Sequence, residues 1–228
     1  MNVGFKTVQR VEFLKKIASG KRVLHLGCTN FPYTLDSIES GTLLHADLAE
    51  ISAELTGFDF DQEGIDLLET QGFSELYRAD LEKLEEVQLE REFDVIIAGE
   101  MIEHLNNQGL FLKGIQRFMG SETKLVITTV NAYCAFRFAI YALRGRGGEN
   151  EPVHPDHVAY YSYRTLRKLI ENNGLEVEEF FFYDLGVEHR GTLKWYYRAI
   201  NDAAVALFPQ LSDGVIAVCR KRIAETDQ

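Results

Sequence analysis

The sequence predicts an α/β fold: an open, doubly wound, seven-stranded sheet, mostly parallel, with an antiparallel last strand. Three observations predict it. Strand-like and helix-like segments alternate from one end of the chain to the other. "FDVIIAGE", residues 93–100, is an isoleucine- and valine-rich run too short for a helix, which suits a central strand covered on both faces. Polar groups recur just after successive apolar runs, at the strand ends where ligands bind in sheets of this kind.

Taken in order, "VEFLKKIA" puts apolar residues at 11, 13, 14 and 17 and predicts an opening amphipathic helix, with "RVLHLG" as the first strand. "TLDSIESGTLLHADLAEISAEL" carries apolar positions 44, 48, 51 and 55, which predict one helical face reaching residue 55. "TGFDF" is a short second strand ending in acid, and "DQEGIDLLETQGF" a helix closed by Gly72. "ELYRADL" and "FDVIIAGE" are the third and fourth strands. "NNQGLFLKGIQRFM" is a helix and "TKLVITTV" the fifth strand. A helix over 132–143 and a polar loop, "RGRGGENEPVHPDH", come next. "SYRTLRKLIENNG" has Ser162 as its N-cap and Gly174 as its stop. "LEVEEFFFYD" is a strand, "TLKWYYRAINDAAVALF" a helix ending before Pro209, and "DGVIAVCRK" the last strand.

Composition narrows the function classes. The chain has 228 residues and a formal charge of -11, so its general surface repels phosphate backbones and no nucleic-acid partner is expected. No stretch approaches the roughly 20 apolar residues of a membrane span. The most apolar run, "AYCAFRFAIYAL" at 132–143, is interrupted by Arg137. The first residues show no signal-peptide pattern. Cys28, Cys134 and Cys219 stand in no metal-ligand spacing, so reduced thiols in a cytoplasmic protein are expected.

The strand ends supply the candidate site. Gly27 follows the first strand and lets a ligand approach the backbone. Asp59 ends the second, Asp80 the third, "AGEMIEHL" the fourth and "TTVN" the fifth. Each has an ordinary reading as well. Gly27 can simply end a strand, Asp59 can cap the next helix, and Glu103 and His104 can sit solvated at a helix start. Their joint occurrence, in order, is what points to a site.

In the order "VLHLGC", "GFDFDQEGIDLL", "YRADLEKL", "FDVIIAGEMIEHL", "LVITTVN" and "HPDHVAYYSYRTLRKLIENNGLEV", the chain resembles class I S-adenosylmethionine-dependent methyltransferases, from about residue 20 to 184. The subgroup it is similar to acts on small molecules, lipids or sugars. The resemblance implies S-adenosylmethionine as cofactor. It implies that Gly27, with His25, Cys28 and Thr29 around it, faces the methionine part. Asp59 would bind the ribose and Phe60 lie against the adenine. Asp80 and Leu81 would meet the adenine edge, and Gly99 and Glu100 the sulfonium and methionine end. Glu103 and Asn131 would border the acceptor, with His104 and His157 as the candidate catalytic bases. One domain over 1–228 is implied: an N-terminal helix at 1–20, a cofactor-binding core at 21–130, an acceptor-site segment at 131–161 and the C-terminal part of the sheet at 162–228.

The loop after the first strand departs from that family's pattern. His25 stands where an acid is usual, and Thr29 where a second glycine is usual. Gly27 and Asp59 are 32 residues apart, against about 20 in the general dinucleotide pattern, so "NFPYTLDSIESG" is an insertion ahead of the first helix. The cofactor's ammonium then needs another carboxylate, for which Asp36, Asp47 and Glu100 are candidates.

In-line methyl transfer from a sulfonium releases a neutral thioether, so the protein's main task is to align donor and acceptor. "HPDH", with His154, Asp156 and His157, is too short a stretch to make a metal shell alone, and no metal is expected. Arg137, Arg144 and Arg146 form a basic group that would suit an anionic acceptor, or the solvated ends of a core helix. The helix around "LKWYY" is a candidate homodimer face or core packing. The alternative to an enzyme is a non-catalytic binding or regulatory protein on a methyltransferase scaffold. A nicotinamide oxidoreductase would need a GxGxxG turn, and "GCTNFP" is not one.

Overall fold

A computed structural model describes residues 6–144, 155–184, 186, 190 and 193–222. Its strands are β1 (Thr7–Val8), β2 (Arg22–Leu26), β3 (Glu54–Asp59), β4 (Leu76–Arg78), β5 (Phe93–Gly99), β6 (Met119–Val130), β7 (Leu175–Tyr183) and β8 (Gly214–Lys221). The helices are α1 (Arg10–Ala18), α2 (Thr34–Glu39), α3 (Leu44–Ile51), α4 (Gln62–Thr70), α5 (Gln108–Gly114), α6 (Ala135–Arg144), α7 (Tyr163–Asn172) and α8 (Trp195–Leu207). The strands form one sheet in the order β1-β7-β8-β6-β5-β2-β3-β4.

Eight strands replace the expected seven. The extra one, β1, is a two-residue edge that pairs parallel with the end of β7, Thr7 beside Phe182. A strand that short has no apolar alternation to reveal it. The expected antiparallel last strand is present: β8 runs antiparallel to both β6 and β7.

Alternation along the strands divides the core between two faces. On one, Val23, Val95, Ile97, Val126, Ile216 and Val218 pack against Leu14 and Ala18 of α1 and Leu48 of α3. On the other, Leu24, Leu26, Ile96, Ala98, Ile127 and Ala217 meet Phe111 of α5 and Leu166 and Ile170 of α7. Both faces of the central strands are dry, which is why they read as continuous apolar runs. A separate cluster of Cys134, Phe136, Ile140 and Tyr197 joins α6 to α8, so part of the "LKWYY" helix is core.

The long helical face expected up to residue 55 is two helices. α2 stops at Glu39, Gly41 takes a left-handed turn at φ 67°, and α3 ends at Ile51. Leu55 belongs to β3, where it pairs with Val23. The loop and α2 occupy the insertion. Ser162 caps α7 by accepting from the Thr165 N–H, and Thr165 Oγ1 accepts from the Ser162 N–H, closing a capping box. Gly174 follows that helix with a φ of 85°.

Chain order reverses between β2 and β5. From β2 the chain builds outward through β3 and β4; from β5 it builds the other way through β6. Their carboxyl ends lie side by side, Leu26 opposite Ala98. The crevice outside those ends is the expected ligand position for such a sheet.

Candidate functional site

The loop after β2 is held by its own backbone. Gly27 has a φ of 75°, a conformation that favours glycine, and its N–H donates to Phe58 O at 2.9 Å, as does that of Cys28 at 3.3 Å. Asp59 then ties the loop to α4: Oδ2 accepts from the Thr29 N–H at 2.9 Å and Oδ1 from the Asp61 N–H at 3.0 Å. Asp61 caps α4, accepting from the Gly64 N–H at 3.1 Å. A Cβ on Gly64 would fall 2.7 Å from Thr29 Cβ, so the helix start packs directly on the loop.

The side chains of His25, Cys28 and Thr29 are buried beneath the crevice. His25 faces α3, where its Nδ1 meets His45 Nδ1 at 3.1 Å and the two rings stack with centroids 5.4 Å apart. Burial pushes both imidazoles down, His45 to about 4 and His25 well below its usual value, the latter helped by His45 and Arg10. A cofactor here would meet the loop's backbone, and His25 does not take over the role of an acid at its position.

Phe60 is 63% exposed beyond Asp59, with the Arg78 guanidinium 5.1 Å from its ring centroid. Asp80 is partly exposed; its Oδ1 accepts from the Glu82 N–H at 2.9 Å, while Leu81 beside it is buried.

Of the three carboxylates considered for the ammonium, Asp47 pairs with Lys15 at 3.1 Å between α3 and α1, and Asp36 lies exposed on α2. Glu100 alone follows a strand at the switch point. Its backbone is left-handed at φ 54°, its N–H donates to Thr128 O at 3.0 Å, and its Oε1 accepts from the buried Tyr183 hydroxyl. Arg10 of α1 enters the same corner: a Cβ on Gly99 would lie 3.8 Å from its Nη1, and its guanidinium is 6.0 Å from the Tyr183 ring centroid. Arg10 and Tyr183 gave no signal in the sequence beyond one charge at a helix start and the end of an apolar strand.

Glu103, in the tight turn Ile102–His104 after β5, is fully buried. Its Oε2 accepts from Thr129 Oγ1 at 2.9 Å, and Oε1 is buried without a hydrogen bond among the described residues. Burial, with the Glu100 carboxylate nearby, pushes its carboxyl up to about 8. The segment that begins at residue 155 docks on this turn, with the N–H groups of Val158 and Ala159 donating to Glu103 O at 2.9 and 3.3 Å. His157 is thereby set against His104, ring centroids 4.6 Å apart at 85°. One donor atom each of Glu103, His104 and His157 lies within 4.8 Å of the other two, a grouping with the composition of a metal shell. His154 lies outside the described residues.

Asn131 is buried and committed to the frame. Its Nδ2 donates to Gln210 O at 2.9 Å and Ser212 O at 2.8 Å, and its Oδ1 accepts from the Tyr133 N–H. Arg137 is likewise engaged, pairing with Asp213 Oδ1 at 2.7 Å and donating to Asp213 O at 2.9 Å. The backbone of Arg144 ends α6, and Arg146 lies outside the described residues. A hollow of about 450 Å³ opens at the opposite, amino end of the sheet, lined by Lys21, Arg22, Asp94 and Lys124 among others. It is far from the switch point and is bridged by the Arg22–Asp94 ion pair at 2.8 Å.

A methyltransferase-domain family model matches residues 6–179, from β1 into β7, and takes in Gly27, Asp59, Glu100, Glu103 and His157. The chain belongs to that family. Among curated relatives, this methyltransferase-family chain is 26% identical over 172 residues to a ubiquinone biosynthesis O-methyltransferase of Bradyrhizobium diazoefficiens; the match covers 71% of this chain and 64% of the relative, less than two thirds of its length. In fold it is similar to an S-adenosylmethionine-dependent methyltransferase of Archaeoglobus fulgidus, with a TM-score of 0.58, 19% identity, and 93% and 91% of the two chains covered. It is similar too to the magnesium protoporphyrin IX methyltransferase of Synechocystis, solved with S-adenosylhomocysteine, with a TM-score of 0.57, 12% identity, and 93% and 82% covered. The family and the fold agree with the resemblance read from the motifs. Among the described residues no helix is long and apolar enough to cross a membrane.

Proposed function

We propose that this chain transfers a methyl group from S-adenosylmethionine to a small-molecule, lipid or sugar-type acceptor. The observation that carries the reading is the placement of Asp59 at the carboxyl end of β3, one strand from Gly27 and two from Gly99, around the switch point. The carboxylate there suits the ribose hydroxyls, with the Phe60 ring and the Asp80–Leu81 turn suited to the adenine. Gly27 offers its backbone to the methionine part. Arg10 suits the cofactor's carboxylate, and Glu100 its ammonium, the task that His25 cannot do. The relative's name, an O-methyltransferase, supports an oxygen acceptor on a small molecule.

The chemistry asks little of the protein beyond alignment. The acceptor's electron pair attacks the methyl carbon as the carbon–sulfur bond breaks, and the leaving thioether is neutral. Glu103 borders the acceptor side, while Asn131, its amide spent on Gln210, Ser212 and Tyr133, serves the frame around it. His104 and His157 stand where the acceptor's hydrogen-bearing atom would be handled.

Calorimetric titration with S-adenosylhomocysteine tests the reading. Binding in the micromolar range, weakened at least tenfold in Asp59→Ala, is expected. No heat at millimolar ligand would leave a binding or regulatory protein on this scaffold. That second reading is favoured by one observation: buried His25 and Thr29 replace the acid and second glycine of the loop.

A further inference from the structure

We propose that Glu103, His104 and His157 form a divalent-cation site that holds the oxygen of the methyl acceptor. The assignment of that oxygen rests on the methyltransferase reading; the cation site itself does not.

The three donors come from two segments far apart in sequence, brought together and pinned by backbone. Glu103 and His104 are consecutive in the turn after β5. His157 arrives on the segment that Val158 and Ala159 fasten to Glu103 O. The far end of that segment is fixed too: the Ala132 N–H donates to Tyr161 O at 2.9 Å, next to the bridge between Asn131 and Tyr161. The backbone therefore brings the three side chains together, with one donor atom of each within 4.8 Å of the other two.

A second observation points to a ligand. Glu103 is fully buried, and while Thr129 satisfies Oε2, Oε1 has no hydrogen bond among the described residues. Buried carboxylate oxygens are almost always paired, and one left without a partner among donor-rich imidazoles suits a cation. The donor set also restricts which one. Two imidazoles and one carboxylate suit zinc, iron(II), cobalt or manganese better than magnesium or calcium, which take oxygen ligands. Three protein ligands leave coordination positions open.

An acceptor hydroxyl can fill one. Bound to the cation, it releases its proton to solvent at a lower pH than free in water. The oxygen's electron pair then forms the bond to the methyl carbon, the carbon–sulfur bond breaks, and the thioether leaves with that bond's electrons. On this account the two imidazoles hold the acceptor through the metal, which replaces the general-base role that the proposed function gives them.

The test is cobalt(II) titration of chelator-treated protein, followed by visible absorption and calorimetry, with S-adenosylhomocysteine binding measured in parallel. One equivalent bound with a ligand-field spectrum is expected in wild type, with affinity reduced at least tenfold in His157→Ala and in Glu103→Gln. Glu103 is buried, so His157→Asn serves as the variant least able to disturb folding, and unchanged nucleoside binding certifies it. Absence of cobalt(II) and zinc(II) binding at millimolar concentration overturns the proposal. So does wild-type affinity in His157→Ala and His157→Asn. Loss of nucleoside binding in wild type would strike the methyltransferase reading and leave the cation measurement standing.

Discussion

The N–H of Thr29 donates to Oδ2 of Asp59 across 2.9 Å, so the carboxylate that ends β3 also clamps the loop after β2. Oδ1 holds the Asp61 N–H at the start of α4. Hydrogen bonds to a charged group are each worth about 1.5–3 kcal/mol. Asp59→Ala is expected to lower stability by about 3 kcal/mol and to weaken S-adenosylhomocysteine at least tenfold, read by denaturant unfolding and calorimetry. An unchanged unfolding midpoint would remove the clamp; an unchanged affinity would remove the ribose contact.

Arg10 and Glu100, of opposite charge, both lie by Gly99 and Tyr183, which matches the zwitterionic end of an amino-acid cofactor. Glu100→Gln and Arg10→Gln should each weaken S-adenosylhomocysteine by about tenfold or more, the worth of one charge-assisted bond. Methylthioadenosine lacks the amino-acid end, and its affinity should stay within about twofold. Equal losses for both nucleosides would show that the substitutions act on the crevice as a whole.

Arg137 and Asp213 are a partly desolvated pair at 2.7 Å, with Arg137 also donating to the Asp213 carbonyl. Removing one partner of such a pair leaves the other uncompensated, which costs about 3–5 kcal/mol when burial is complete. Arg137→Met is therefore expected to destabilise the fold by about 2–4 kcal/mol. It should leave nucleoside binding in the surviving native fraction unchanged. A native-like melting temperature would return Arg137 to the list of acceptor-reading residues.

The central strands were legible because each is a dry apolar run with turn chemistry at its ends, whereas the three-residue β4, half-buried to exposed, was legible only from its place in the alternation. Gly72, Ser162 and Gly174 marked helix ends for reasons local to a few residues. What escaped was set by tertiary contact. The two-residue β1 exists only because β7 offers it an edge, and Leu55 reads as helical until its pairing with Val23 is seen. In the site, positions at strand ends could be named in sequence order. Their partners could not: Arg10 comes from outside the motifs, and His157 meets His104 across a separation of 53 residues in the chain. The short "HPDH" stretch argued against a metal because its complement, Glu103 and His104, is local to another strand.

His25 and His45 give the fold a titration of their own. Their Nδ1 atoms are 3.1 Å apart in a sealed contact between β2 and α3, so the two rings cannot both carry a proton there, and burial favours the neutral form of each. Both values are depressed on folding. The unfolded chain binds these protons first, near pH 6.5, and stability rises with pH wherever that is so. The contribution is fully present above about pH 6.5 and is lost as pH falls toward the folded values, about 4 for His45. That window corresponds to about 3 kcal/mol for His45 alone. Other acidic groups titrate there as well, so the informative quantity is the difference between wild type and His45→Leu. The variant should be less stable at pH 7.5, because His25 loses its partner, and the gap should close between pH 6.5 and 4.5. Denaturant midpoints measured across that range check it, and a gap that stays constant would mean that the buried pair is not the group being protonated.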